Sequence, residues 1–573
     1  MALATAEFAR SEFTHLRQPA AVIPARRSWP SVLCLVLLCT ALRLPGITRP
    51  LVGHFATKNA TYAMIARNWA LGRAPLWRPT TDCMAGGDRG WHLLEVPVAA
   101  YLAGAGWAIC GGSLDVWGRA VSIAFSAVSV VLMFLLVRRW HSQAAGYAAG
   151  LTLALSPASI IYGQSFMLEA SVVCFAMATL LAFDVWLGWQ REGFRVQGSG
   201  FRDARLQNGL LAIAAVSFAL LLLTKIYMLV LLLPLAAMVR CTVAGCEKQR
   251  SNDNRSASCR MTFLGRLLRS KRTTDDLGRS SYESLDRSSL PIILGTGMLL
   301  LSAIPAVAWC AAAMHLANPT LPHSQHVFDS LYRSTTVHHW PHPLLASGEF
   351  YARLLYNLAL PGLTPLPMLM AFIGLASRAG RRHAWWLAAM ALLVAALPAK
   401  FYELQYYTLI LVPPLAVLAG VGWESVLSRY RPPRAAVALC VLAWSAISMR
   451  AAVGPAFTTP AEDRGVTAAA AAVRQLATTD EPVATLHGAS SDLLHYCDRP
   501  GWALSTNDRH LMQRLDECRR QGARWLVVAD LKALAASPSS AEMAGLPMVR
   551  EGDNYRVYQL SEHHRPQNPG NKR

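Results

Sequence analysis

Four ionisable residues stand where an apolar chain should least tolerate them. Glu169 lies at the end of one long apolar run and Lys225 is embedded between two others. Glu95 interrupts the apolar stretch 92–109, and Lys58 opens a segment of helical spacing, Lys58–Ala70. A charge in or beside a membrane-length segment is costly unless it is paired or functional. A carboxylate in hydrogen-bond reach can take a proton from a hydroxyl or amine. Lysine and arginine can hold phosphate through charge-assisted hydrogen bonds. Between the two segments sit Asp82, Asp88 and Arg89 in a Gly-containing loop, with His92 just beyond.

The elements that must position these groups are membrane helices. The chain has 573 residues, 53% hydrophobic and only 15% charged, with a mean hydropathy of +0.29. A soluble chain carries nearer a quarter charged residues. The excess therefore belongs to repeated spans of ~20 apolar residues. Candidate spans are 30–47, 119–138, 143–162, 166–188, 208–223, 225–239, 290–313, 355–376, 384–399, 406–423 and 434–449. The expectation is a polytopic helical membrane domain over 30–450, of about eleven helices. The fifth and sixth spans run together around Lys225.

The formal net charge of +20 is scattered between the apolar runs with no single basic patch, so nucleic acid is not the expected partner. Loop arginines orient the helices instead. With the N-terminal tail 1–29 in the cytoplasm, the loop 240–289 is internal and carries eleven Lys or Arg. Segments 378–382 and 429–434 carry three arginines each. The first outer loop, 48–118, breaks the pattern with Lys58, Arg67, Arg73, Arg78 and Arg89. Positive charge on the outer side needs a reason other than topology. Segments Lys58–Ala70 and 92–109 are both expected to lie along the membrane surface.

Loop 240–289 is polar, without apolar period, and reads as disordered. Its Cys241, Cys246 and Cys259 lack an evident fourth metal ligand. The outer loop 314–354 holds His323, His326, His338, His339 and His342, without the helical spacing of a metal pair. Beyond residue 464 the pattern changes. "PVATL", "RWLVVAD" and "YRVYQL" are strand-like, and "DRHLMQRLDECRRQG" is helical and stops at Gly522. A small α/β domain over 464–562, on the outer side, and a tail 563–573 follow. A disulfide between Cys497 and Cys518 is compatible with an oxidising compartment.

A series of landmarks then resembles one family. "LRLPG" (Leu42–Gly46), "TKNATYAMIARN" (Thr57–Asn68), "LEVP" (Leu94–Pro97), Arg119, "YGQSFMLEA" (Tyr162–Ala170), "LLTKIYMLVLLLP" (Leu222–Pro234) and "KFYELQYYTLILVPPLAVLAG" (Lys400–Gly420) occur in this order. They resemble landmarks of the C-type fold of glycosyltransferases, membrane enzymes that take a sugar from a polyprenyl-phosphate carrier. The resemblance is nearest to the bacterial aminoarabinose and lipopolysaccharide-core transferases, which share architecture with the protein O-mannosyltransferases. The sequence departs from that pattern in the first-loop helix. Members of the family carry an acid there, and this chain has Lys58, Asn59 and Thr61. The stretch Tyr162–Ala170 resembles a family motif that ends in Met-Pro-Glu, and there the Arg before Met-Pro-Glu is replaced by Gln164 and the Pro by Leu168.

The resemblance implies an inverting transfer from a polyprenyl-phosphate sugar to a lipid, glycan or protein acceptor. The reaction would take place at the outer side of an inner (plasma) membrane, in contact with the bilayer. It implies no firm cofactor, though a divalent cation is compatible with it. No nucleotide-binding Gly-rich turn follows a strand, so no nucleotide sugar is implied. Glu95 is the first choice for the base, with Asp82, Asp88 and Glu169 as rivals. Lys58, Lys225 and Arg119 are the phosphate candidates, with Asn59, Arg89, His92, Glu403, Tyr406 and Tyr407 as further substrate-binding candidates. Each has a structural reading as well. Glu95 snorkels from an interfacial helix, Lys225 marks a helix end, Glu169 pairs with an arginine, Arg119 anchors a helix start, and Tyr406 and Tyr407 form an aromatic belt. A lipid-linked-sugar flippase and a non-catalytic lipid-binding relative are the alternative functions.

Overall fold

In this computed structural model, residues 29–85, 88–193, 201–243, 291–316, 342–431, 433–488 and 490–560 are described. The N-terminal tail, most of loop 240–289 with Cys246 and Cys259, the outer-loop histidines before His342 and the tail 563–573 lie outside them.

The apolar runs are helices. The membrane set contains α1 (Trp29–Ala41), α4 (Leu114–Trp140), α5 (Gln143–Leu155), α6 (Pro157–Gln164), α7 (Glu169–Gly193) and α8 (Phe201–Thr224). It continues with α9 (Ile226–Val243), α10 (Pro291–Ala313), α11 (Gly348–Gly362) and α12 (Pro365–Ala376). It ends with α13 (Ala384–Ala396), α14 (Thr408–Tyr430) and α15 (Arg434–Ile447). Among the described residues six helices are long and apolar enough to cross a membrane, and eight crossings result if each bent pair is one span. Helices α1, α13 and α15 coincide with the other expected spans but have only 13 or 14 residues. At about 1.5 Å per residue they fall short of a ~30 Å hydrocarbon core.

The bends have local causes. Between α5 and α6 the chain turns by 59°. Pro157 cannot donate to the helix ladder, and Ser156 accepts from Ser159 N–H as an N-cap while its hydroxyl donates to Gly362 O at 2.5 Å. Between α11 and α12 the turn is 111°, and Thr364 there takes a left-handed φ of 70°. The boundary between α8 and α9 falls on Lys225, whose backbone is extended at φ −150° and ψ 95°.

Glycines let the helices touch backbone to backbone. Gly420 and Gly422 on α14 are two residues apart, so they face opposite sides. A Cβ at Gly420 would come within 2.6 Å of Ala145 O on α5, and one at Gly422 within 1.9 Å of Met370 O on α12. This is the small-residue packing that replaces hydrophobic drive between helices in lipid. Gly422→Ala is expected to destabilise the protein by about 1–3 kcal/mol through overpacking. Gly209→Ala, where nothing lies within 4 Å, is the control and should be neutral or slightly stabilising. Thermal unfolding in detergent compares the two.

The first outer loop folds as α2 (Ala56–Ala70), β1 (Thr80–Ala85), β2 (Asp88–Trp91) and α3 (Val98–Cys110). Helix α2 does not lie on a membrane surface, because its residues 59–68 are all buried. It is held between α3 and the C-terminal domain. A Cβ at Gly104 of α3 would sit 2.7 Å from Ala66 O. Helix α3 keeps an exposed apolar side at Leu102 and Ile109.

The C-terminal domain contains α16 (Val466–Leu476), β3 (Val483–Leu486), α17 (Asp492–Cys497), β4 (Gly501–Leu504), α18 (Leu511–Arg520), β5 (Trp525–Ala529), β6 (Met548–Gly552) and β7 (Tyr555–Gln559). Strands β4, β3 and β5 are parallel neighbours, β7 runs antiparallel to β5, and β6 to β7. The hairpin β1–β2 joins the same sheet through the single pair Cys83–Gly501. Strand alternation separates two cores, one holding Val483, Val527 and Cys497, the other Ala484, Val528 and Cys518. Cys497 and Cys518 are therefore buried free thiols in cores on opposite faces of the sheet, and no disulfide joins them.

Candidate active site

Two lysine–glutamate pairs meet where the first outer loop reaches the helix ends. Lys58 and Tyr62 are one turn apart on α2 and so share a face. Lys58 Nζ lies 2.7 Å from Glu169 Oε1, at the first residue of α7. Tyr62 donates its hydroxyl proton to Glu95 Oε2, and Lys225 donates to Glu95 Oε1. His92 Nε2 is 3.4 Å from the same Oε2.

The backbone sets this geometry. Val96 N–H donates to Leu223 O at 2.9 Å, which draws the segment holding Glu95 alongside the break that presents Lys225. Trp309 on α10 donates to Leu93 O at 3.1 Å from the other side.

The aromatic floor comes from far along the chain. Tyr406 and Tyr407 are 7% and 4% exposed, so they form no aromatic belt at the membrane surface. Lys58 Nζ stands 3.9 Å from the Tyr406 ring centroid, well inside cation–π range. Tyr227, two residues after Lys225, packs on Tyr407 with centroids 5.5 Å apart. A cavity of about 330 Å³ opens beside this floor, lined by His54, Tyr162, Gln405 and Thr408 among others. Tyr162 lines that cavity, and its ring lies 6.2 Å from the ring of Tyr406, over which Lys58 stands.

The electrostatics are balanced but loaded. Burial alone would raise the Glu95 proton affinity. Lys225, His92 and Lys58 overcome it and hold the carboxyl well below its usual range. Burial would lower the Lys58 ammonium, yet Glu169 and Glu95 outweigh it and raise it. Burial, then the Glu95 and Glu169 charges, push the Tyr62 phenol well above its ordinary value. Glu95 thus has both oxygens engaged. Glu169 does not: its Oε2 is buried and has no hydrogen-bond partner among the described residues.

The other candidates lie elsewhere. Asp82 is fully buried, with Arg67 at 2.5 Å, Arg89 at 3.2 Å and Asn68 at 3.1 Å around its carboxylate. Arg67 also donates to His495 O at 2.8 Å. This group fastens the loop to the C-terminal domain. Asp88 is exposed at the start of β2. Arg119 donates to the carbonyls of Ile47, Arg49 and Pro50, and so holds the segment that follows α1. Asn59 donates to the carbonyl of Phe55, the residue before its own helix, and Glu403 is exposed at the end of helix Pro398–Glu403. Tyr62, Tyr162 and Tyr227 join the site without being among the sequence candidates, Tyr62 from within the helically spaced segment Lys58–Ala70.

Membrane helices around a cavity, a large first loop and a C-terminal α/β domain together make the C-type glycosyltransferase fold. ArnT from Cupriavidus metallidurans, solved bound to undecaprenyl phosphate, superimposes with a TM-score of 0.54 at 14% identity, over 93% of this chain and 98% of that one. Its apo form gives 0.54 at 15% identity, with the same coverage. The archaeal oligosaccharyltransferase AglB from Archaeoglobus fulgidus, in complex with an inhibitory peptide and a dolichol-phosphate, gives 0.51 at 11% identity, over 95% of this chain and 75% of that one. The likeness is one of fold. No protein-family profile matches the chain, and no curated protein matches it in sequence.

Proposed function

We propose that the protein transfers a sugar from a polyprenyl-phosphate carrier to a hydroxyl or amine of a lipid, glycan or protein acceptor at the outer side of an inner (plasma) membrane. The observation that carries this reading is the pair of buried ammonium groups, Lys58 and Lys225, held by carboxylates where the first loop meets the helix ends, in a fold shared with lipid-carrier transferases.

The chemistry fits these groups. The acceptor oxygen or nitrogen attacks the anomeric carbon from the face opposite the carrier. The carbon–oxygen bond to phosphate breaks, and its electron pair stays on the phosphate, which leaves as a monoester of greater negative charge. Lys58 and Lys225 are placed to receive that charge. The acceptor's proton goes to a carboxylate. Glu95 was the first choice from sequence, but both its oxygens are occupied. Glu169, with one unpartnered oxygen, is the better-placed base, and Glu95 holds Lys225. Single displacement makes the reaction inverting. The N-terminus stays in the cytoplasm and the C-terminal domain faces the acceptor.

The deciding experiment uses purified protein in nanodiscs with a radiolabelled panel of polyprenyl-phosphate sugars. Release of label from the lipid, with new free carrier phosphate, is the expected result. Lipid that binds and is never cleaved would make the protein a scaffold. Label that crosses a sealed bilayer intact would make it a flippase.

A further inference from the structure

About the C-terminal domain, a second constellation has no part in the transfer chemistry. We propose that Asp463, His487 and Asp492 form a binding site for a divalent transition ion of the zinc type, joining the linker, the C-terminal sheet and the first outer loop. His487 Nε2 is 2.9 Å from Asp463 Oδ1 and 3.6 Å from Asp492 Oδ2. All three ligand atoms lie within 4.8 Å of one another. Around an ion with bonds of about 2.0–2.1 Å, tetrahedral ligand atoms stand roughly 3.3 Å apart, so small side-chain shifts close the site.

Two observations separate this group from an ordinary ion pair. The residues are 8%, 6% and 0% exposed in chain order, and Asp492 Oδ2 has no hydrogen-bond partner among the described residues. Asp492 Oδ1 is already used by Leu493 N–H. A fully buried, unpartnered carboxylate oxygen is expensive to keep. Two carboxylates and a neutral imidazole together neutralise a dication. One nitrogen with two carboxylates suits zinc-class ions over magnesium or calcium, which prefer all-oxygen shells.

The position in the sheet supports a ligand. His487 follows the carboxyl end of β3, the central parallel strand. From β3 the chain passes to β4 on one side and then to β5 on the other. That reversal opens a crevice at the carboxyl ends of the strands, where open α/β sheets bind ligands. The first outer loop closes over it. Gly53, at φ +83°, would place a Cβ 3.4 Å from Asp463 Oδ2, and Ser491 Oγ donates to Thr57 O at 3.2 Å. An ion here would fix the residue next to Lys58.

The test uses the full-length protein in detergent, treated with chelator and dialysed. It is then titrated with Co²⁺ as an optical probe, with Zn²⁺ counted by elemental analysis. One saturable ion per chain is expected, with the visible absorption of tetrahedral Co²⁺. His487→Gln and the isosteric Asp492→Asn should each weaken binding more than about 100-fold, beyond the 10–100-fold typical of losing an outer-shell partner. Asp463→Asn provides the same reading should either variant fail to fold. Wild-type protein without a stoichiometric ion overturns the proposal. So do folded variants that bind as tightly as wild type, which would place the ion elsewhere.

Discussion

Lys225→Ala is expected to abolish transfer and to destabilise the protein by about 3–5 kcal/mol, because it leaves Glu95 buried without its cation. The double variant Lys225→Ala with Glu95→Gln should recover much of that stability and none of the activity. Residues in direct contact do not add, and the pair is the unit being measured. Chemical unfolding of the two singles and the double in detergent closes the cycle. Additive costs would show that Glu95 and Lys225 do not pair.

The pH dependence has a definite sign. Glu95 has a folded-state pKa well below its ordinary value. Its stabilising contribution is therefore full above the unfolded carboxyl value of about 4.3 and is lost as pH falls through the depressed folded value. Glu95→Gln removes this term, so its stability profile should be flatter in acid than that of wild type.

Glu169→Gln is expected to cut turnover by about 10²- to 10⁴-fold, the usual contribution of a positioned base, while donor binding persists. The amide keeps the shape of the side chain but cannot take a proton. It also frees Lys58 from its 2.7 Å ion pair, so affinity for the lipid phosphate should hold or rise. Single-turnover rates beside lipid-binding affinities separate the two effects. A loss confined to donor affinity would make Glu169 a partner of Lys58 only. A larger loss of turnover in Glu95→Gln than in Glu169→Gln would return the base to Glu95.

The sequence by itself determined a good deal. Apolar runs of membrane length and arginine-bearing connections made a helical membrane domain the only economical reading. Strand-length runs after residue 464 marked the α/β domain, and Gly522, at φ +103° beyond α18, ended the helix expected there. The cost of isolated charge in apolar surroundings pointed to Lys58, Glu95, Glu169 and Lys225 before any partner was known. The strands β4 and β6 escaped notice because four or five residues with little alternation resemble loop. The bends at Ser156 and Thr364 escaped because a continuous apolar run hides a turn within it.

Tertiary structure alone decided who pairs with whom. Lys58 and Glu169 are 111 residues apart and Lys225 and Glu95 130, and no periodicity carries information over such distances. It took the Val96–Leu223 hydrogen bond to bring Glu95 to Lys225. Burial of Tyr406 and Tyr407 likewise needed the fold, because an interfacial tyrosine and a buried one look alike in sequence. Asp82, Arg89 and Arg119 had the right chemistry. They lie apart from the Lys58–Glu95–Lys225 cluster because Arg67 and three backbone carbonyls claimed them first. Residue type fixes what a group can do, and packing fixes which partner reaches it.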